Sequence, residues 1–307
     1  MYHGPGDLRV EEAPRPEPGP GDVLVQVEVA LTDGTDAKAF RRGHPLLLAE
    51  TPSPFGHEFC GVDVATGGRV VAANSAPCGS CAPCRRGEET LCENLRPFLN
   101  GAYAEFLLVP ERIAGRNLLP VPPALAPEVA ALVEPLACCL HGVERAEVEP
   151  GQTVAVLGPG PIGLMLCAAA RDAGARVVAV GGRPERRELA RSFGAEPGDG
   201  AGADVVVEAV GTERAWQDAL ALVRPGGTVV FFGGREVAVD TFRLHYEELT
   251  LRGAFHHAPR HVRAALAFLA SGAYPWERLI THRVGLEGVA GLFADPPPDL
   301  LKAAVLP

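Results

Sequence analysis

The sequence predicts an α/β protein of two units, a β-rich unit first and a doubly wound parallel sheet after it. Three observations carry this. The length of 307 residues provides for two cores at ~150 residues each. The hydrophobic periodicity changes near Thr153. The turn Gly158-Pro159-Gly160-Pro161-Ile162-Gly163 lies where a strand of the second pattern ends and an Ala-rich segment, Leu164 to Ala173, begins.

Composition narrows the function. Hydrophobic residues at 47% and charged residues at 21% are globular values, and no apolar run approaches the ~18 residues of a membrane span. A net charge of -10 argues against nucleic acid, whose binders concentrate Lys and Arg on one face. A small-molecule substrate fits better. The start, Met1 to Asp7, has neither the basic flank nor the apolar core of a secretory signal, so a soluble cytoplasmic protein is expected.

Residues 8 to 110 read as short alternating strands broken by Pro and Gly, such as Val23 to Val29 and Tyr103 to Val109. From Thr153 apolar runs alternate with helical stretches: Thr153 to Leu157, Arg176 to Val180, Asp204 to Val207 and Thr228 to Phe232. Continuous apolar strands with helices between them indicate a parallel sheet covered on both faces. After Phe255 a helical segment, Val262 to Leu269, leads to a short tail ending Lys302-Ala303-Ala304-Val305-Leu306-Pro307.

In this frame the glycine turn reads as a dinucleotide site of the Rossmann type. Gly158 permits the tight turn, Gly160 lets backbone approach a pyrophosphate, and Gly163 lets helix and strand pack closely. Pro161 and Ile162 then open a helix whose free amides and positive dipole end face phosphate. The end of the next strand usually carries an acid for the ribose 2′-hydroxyl of NAD, but here it is Gly181-Gly182-Arg183-Pro184. With no carboxylate to repel a 2′-phosphate and Arg183 and Arg186 available to bind it, NADP is expected in preference to NAD. The alternative is that these Arg residues are paired on the helix with Glu185 and Glu188.

Cys78, Cys81, Cys84 and Cys92 follow a Cys-x2-Cys-x2-Cys-x7-Cys spacing. Four thiolates so close can close a tetrahedral zinc site with no free position, which makes it structural. Disulfides suit an oxidising compartment instead. An iron–sulfur cluster remains an alternative, although the last spacing departs from the common ferredoxin run. Cys60, Cys138, Cys139 and Cys167 lie in apolar runs and read as packed core.

The chain resembles the zinc-dependent branch of the medium-chain dehydrogenase/reductase superfamily, nearest to the polyol, sugar and threonine dehydrogenases. The likeness rests on Gly34-Thr35-Asp36, Gly56-His57-Glu58, the four-cysteine run, Gly101-Ala102-Tyr103-Ala104-Glu105, Glu134-Pro135-Leu136 and the dinucleotide turn, in that order. It implies a GroES-like catalytic domain over residues 1–135, a Rossmann domain over 136–255, and a segment 256–307 returning to the first domain. It implies a catalytic zinc held by His57, Glu134 and the residue before Gly34, with Glu58 an exchanging ligand. That residue is Asp33, where the family usually has Cys. Asp remains a competent zinc ligand, but losing the thiolate makes the site harder, so other divalent ions compete. Read without the family, His57 is equally a satisfied core histidine and Asp33 a turn residue.

The resemblance further implies that Asp36 orients His57, that Thr35 begins a proton relay through the cofactor ribose, and that Lys302 contacts the pyrophosphate. It implies an alcohol as substrate, of the polyol, sugar or hydroxy amino acid class, and a homodimer or homotetramer. Lys38, Arg41 and Arg42 read as solvated. Two rival functions stand beside this one: an NADP(H)-binding sensor lacking the catalytic metal, supported by Asp33, and a zinc-free quinone or enone reductase, which the two metal-type clusters oppose. Only Thr66 separates Ala65 from Gly67, a hairpin shorter than the family's.

Overall fold

The computed structural model describes residues 1–307 apart from 46, 49 and 235. The chain divides into two units, Met1–Pro135 with His257–Pro307, and Leu136–His256. Among the described residues no helix is long and apolar enough to cross a membrane.

The first unit opens with a small hairpin, β1 (Tyr2–Gly4) and β2 (Asp7–Leu8). Its central strand is β3 (Val23–Leu31), where β-branched and apolar side chains bury one face and, at Ala30 and Leu31, both. β4 (Glu58–Asp63) pairs antiparallel with β3, β5 (Arg69–Ala72) with β4, and β7 (Leu118–Pro120) with β5. The short hairpin between β4 and β5 is closed by Asp63, whose carboxylate accepts from the Ala65 amide at 2.9 Å and the Thr66 hydroxyl at 2.7 Å. β6 (Phe106–Val109) also pairs with β3. It begins three residues later than the sequence pattern suggests. The Gly101, Ala102 and Tyr103 amides donate to the Gly56 and Phe55 carbonyls, which holds this stretch off the ladder.

The second unit is a six-stranded parallel sheet in the order β10-β9-β8-β11-β12-β13, with β8 (Thr153–Leu157), β9 (Arg176–Val180), β10 (Ala195–Gly198), β11 (Ala203–Glu208), β12 (Val223–Phe231) and β13 (Thr250–Gly253). The order reverses at β8, the topological switch point at which such sheets bind nucleotides. β8 feeds through Gly158 (φ 90°) into the helix Pro161–Asp172, whose first turn starts on Pro161. A Cβ on Gly163 would sit 1.9 Å from the Gly158 carbonyl oxygen, so only glycine lets this helix approach the turn.

After the helix Pro259–Ala270 the chain adds β14 (Ile280–Gly285) and β15 (Lys302–Leu306) to the first unit. The tail is therefore a strand. β15 runs antiparallel to β3 in the register Ala304↔Leu31 and Val305↔Ala30, and parallel to β14, giving the order β14-β15-β3-β4-β5-β7.

Gly163→Ala is expected to destabilise the second unit by about 3 kcal/mol, the upper range for overpacking. A urea melt monitored by far-UV circular dichroism checks this, and a midpoint equal to the parent's would contradict the packing role.

Candidate functional site

Of the sequence-predicted residues of the first unit, Asp33, Asp36 and Glu58 lie around His57. Asp33 is the N-cap of the helix Gly34–Arg42. Its Oδ1 accepts from the Asp36 amide at 2.7 Å, and Asp36 Oδ2 accepts from the Asp33 amide at 3.2 Å, a reciprocal capping box. The other oxygen of Asp33 faces the imidazole, 3.9 Å from His57 Nε2. On the far side of the ring His57 Nδ1 lies 3.2 Å from Asp36 Oδ1, within ion-pair reach though outside good hydrogen-bond alignment. Tyr103 donates its hydroxyl to Asp36 Oδ2 at 2.5 Å, and its oxygen lies 3.2 Å from the Leu31 carbonyl. Gly56 makes room for that ring, since a Cβ there would meet Tyr103 Cδ1 at 2.4 Å. Thr35 sits in the first turn of the same helix, half-buried, while Lys38, Arg41 and Arg42 are exposed.

Burial opposes a charge on His57, yet Asp36 and then Asp33 raise its pKa well above the ordinary imidazole value. Burial likewise works against Asp33, but His57 and Lys302 hold its carboxyl below the usual range. Asp36 moves the other way, pushed up by burial and by the charge of Asp33.

Glu58 and Lys302 depart from expectation. Lys302 Nζ lies 2.7 and 2.6 Å from the two Glu58 oxygens and donates also to the Thr32 carbonyl at 3.0 Å. Both residues are buried, at 1% and 0% exposure. Lys302 is thus not presented to a pyrophosphate: the antiparallel pairing of β15 on β3 turns it inward. Burial alone would push Glu58 well up and Lys302 down, whereas each pulls the other back. These tendencies conflict, and the geometry decides. One ammonium on both oxygens is an ionised pair.

Asp33, His57 and Glu58 offer ligand atoms all within 4.8 Å of one another. Glu134 does not join that group among the described residues. It lies in the first turn of the helix Val133–Ala146, buried, with its Oε1 3.6 Å from His257 Nε2. Burial opposes its charge, but the His257 contact and the charge of His57 lower its pKa. Lys302 as a partner of Glu58, Tyr103 as a holder of Asp36, and His257 beside Glu134 are contacts that sequence reasoning missed. Only Tyr103 had a signal, its place in the Gly101–Glu105 motif.

In the cysteine lobe all four sulfurs lie within 4.8 Å of one another, and Cys81 Sγ is 3.8 Å from Cys92 Sγ. Tetrahedral zinc with bonds of ~2.3 Å has an edge of ~3.8 Å. Backbone amides of Cys78, Ser80, Cys81 and Asn94 point at these sulfurs at 3.2–3.4 Å, as thiolate acceptors require. The Ser80 and Asn94 contacts bring Cys78 down to about 5. The donor set fits a closed metal site. The Asp33 and His57 donors, at 3.9 Å, stand about 0.5 Å wider than the ~3.4 Å edge of a tetrahedral oxygen and nitrogen site, a gap a small carboxylate rotation closes.

In the second unit Gly181 and Gly182 have φ of 79° and 76°, and a Cβ on Gly182 would strike Pro159 at 2.4 Å. Arg183 is the exposed N-cap of the helix Pro184–Ser192. Arg186 is half-buried and reaches back to the turn, with one guanidinium nitrogen 4.0 Å from where a Cβ on Gly160 would lie. Burial, and then the neighbouring Arg183, lowers its pKa. Glu188 pairs with Arg191 at 3.2 Å.

Comparison with known proteins accords with this geometry. Residues 19–123 match the alcohol dehydrogenase GroES-like domain, and residues 196–271 the zinc-binding dehydrogenase family. An erythritol/L-threitol dehydrogenase of Mycolicibacterium smegmatis is 33% identical, over 93% of this chain and 90% of its own length. D-xylulose reductase A of Aspergillus oryzae is 30% identical, over 95% and 91%. A solved structure described as a zinc-binding dehydrogenase of Sinorhizobium meliloti bound to NADP superposes with a TM-score of 0.89 at 33% identity, covering 100% of this chain and 98% of that one. The chain belongs to the zinc-binding, medium-chain alcohol dehydrogenase family.

Two variants separate the roles of Asp33. Asp33→Asn, which keeps an N-cap acceptor, is expected to retain thermal stability within ~0.5 kcal/mol, while Asp33→Ala loses ~1 kcal/mol. Thermal melts of the metal-stripped protein measure both, and equal losses would refute the capping role. For the lobe, Cys92→Ser is expected to remove one metal equivalent per chain by elemental analysis.

Proposed function

We propose that this chain is a zinc-dependent oxidoreductase that moves a hydride between a polyol-type alcohol and NADP. The observation that carries the reading is the buried group around His57, with carboxylates on both sides of the ring, in a chain that also holds a dinucleotide turn. In this reading Asp33, His57 and Glu134 would hold the catalytic zinc, and the four cysteines a structural one. Glu134, now beside His257, would have to turn from it to take that role. Bound zinc supplies Lewis acidity that favours the deprotonated alcohol, and the nicotinamide supplies the hydride acceptor.

The chain's own residues do the rest. Asp36, held by Tyr103, fixes the His57 ring so that Nε2 faces the donor group. Thr35, at the helix start beside Asp33, receives the substrate hydroxyl proton and passes it outward. The amides of Ile162 and Gly163, in the first turn of the helix that follows Gly160, would hold the pyrophosphate, with Arg186 beside it. Arg183, exposed at the end of β9 with no carboxylate in the usual position, reads the 2′-phosphate. The names of the relatives, an erythritol/threitol dehydrogenase and a xylulose reductase, support four- and five-carbon polyols as the first substrates to try. A second reading, an NADP(H)-binding relative without catalytic metal, is favoured by one fact: Asp33 already serves as a helix cap.

Elemental analysis with a polyol, sugar and hydroxy-acid panel in both cofactors tests the pair. Two zinc per chain with NADP-linked polyol oxidation is the expected result; one zinc and no turnover would establish the second reading. Arg183→Ala is expected to raise KM for NADP about tenfold or more, as loss of a charge-assisted bond does, with KM for NAD within about twofold. An unchanged KM for NADP would remove Arg183 from the 2′-phosphate site.

A further inference from the structure

Lys302 has three donors, and all three are spent inside the first unit, on both oxygens of Glu58 and on the Thr32 carbonyl. The register that delivers it is fixed by neighbours: the Ala303 amide donates to Thr32 Oγ1 at 2.9 Å and the Thr32 amide to the Ala303 carbonyl at 3.0 Å. Glu58 meanwhile belongs to the same 4.8 Å group as Asp33 and His57. Without Lys302 its two oxygens would lose the ammonium they are bound to and would face the group of Asp33 and His57. A zinc site with every place taken by protein is structural, whereas a catalytic site keeps one free.

We infer that Lys302 is a positioning residue that withholds Glu58 from the metal, keeping a coordination place free for the substrate. The inference rests on the reading of Asp33 and His57 as metal ligands. Glu58 is close enough to close the site, and its two oxygens are engaged in a pair that the last strand of the protein supplies.

The test uses the full-length holoenzyme, with zinc release into EDTA and the visible spectrum of the cobalt-substituted protein as readouts besides turnover. In Lys302→Met the freed Glu58 is expected to join the metal, slowing its release about tenfold, the scale on which groups beside ligands tune affinity. The cobalt bands move and kcat falls by a similar factor. In Lys302→Met/Glu58→Gln, release rate and spectrum return to those of the parent. Release at the parent rate or faster in Lys302→Met, with unmoved bands, overturns the inference, as does a double variant that behaves like the single one. Should Lys302→Met not fold, Glu58→Gln decides: release within about twofold of the parent supports withholding, and release about tenfold faster shows that Glu58 is already a ligand. A parent protein with metal only in the cysteine lobe overturns the underlying reading of Asp33 and His57, and this inference with it.

Discussion

The pairing of β15 with β3 is the constraint on which the first unit depends. It places the last strand beside the central one and buries Lys302 to Val305 completely. It also carries an ammonium into the interior, where each desolvated ion costs several kcal/mol before its partners are counted. The cost is offset because the three donors meet three acceptors and the register holds them there. A well-packed apolar pair would serve stability as well or better. The arrangement is therefore better understood through what it does to Glu58, whose two oxygens it engages beside Asp33 and His57.

Asp33 shows how one residue reconciles two demands. As N-cap it gives Oδ1 to the Asp36 amide, and the reciprocal bond from Asp36 fixes both carboxylates at the entrance to the helix. The same box that starts the helix leaves Oδ2 turned to Nε2 of His57 and sets Asp36 Oδ1 against Nδ1. A thiolate, the family's usual choice here, is a weaker acceptor for an amide than a carboxylate oxygen and offers one atom where Asp33 offers two. The substitution that makes the sequence ambiguous is structurally self-consistent: helix start, imidazole orientation and donor direction follow from one carboxylate.

What the sequence revealed follows the range of the interactions. β8 and β9 coincide with the apolar runs Thr153–Leu157 and Arg176–Val180, because a continuous apolar run needs no partner to be recognised, whether both faces are buried, as in β8, or one is half-buried, as in β9. The glycine turn and the four cysteines are likewise local, and their spacing carries the geometry. β15 was illegible because its first residue is a lysine, which in a terminal segment reads as solvent-facing. Its true partner, Glu58, lies 244 residues away. The Tyr103–Asp36 and Glu134–His257 contacts are hidden for the same reason, since nothing in the spacing of either pair relates them. The start of β6 was misplaced because alternation continues through Tyr103 to Glu105 while three amides there are bound to Phe55 and Gly56.

The charges around His57 give the strongest physical reason to regard the group as a cation site. Asp33, Asp36, Glu58 and Glu134 are four nearly buried carboxylates, and Lys302 makes its hydrogen bonds to Glu58 while its charge also reaches Asp33. The imidazole of His57 lies against two of the others, Asp33 and Asp36. Burial opposes a charge on His57, yet the charges of Asp36 and Asp33 hold its pKa well above the ordinary imidazole value. A proton on His57 answers part of that charge, but it occupies the nitrogen that faces Asp33. A divalent cation held by Asp33 and His57 would answer more of that charge and leave Nδ1 to Asp36, so that the orientation imposed by the helix cap and by Tyr103 would suit a metal as well as a proton.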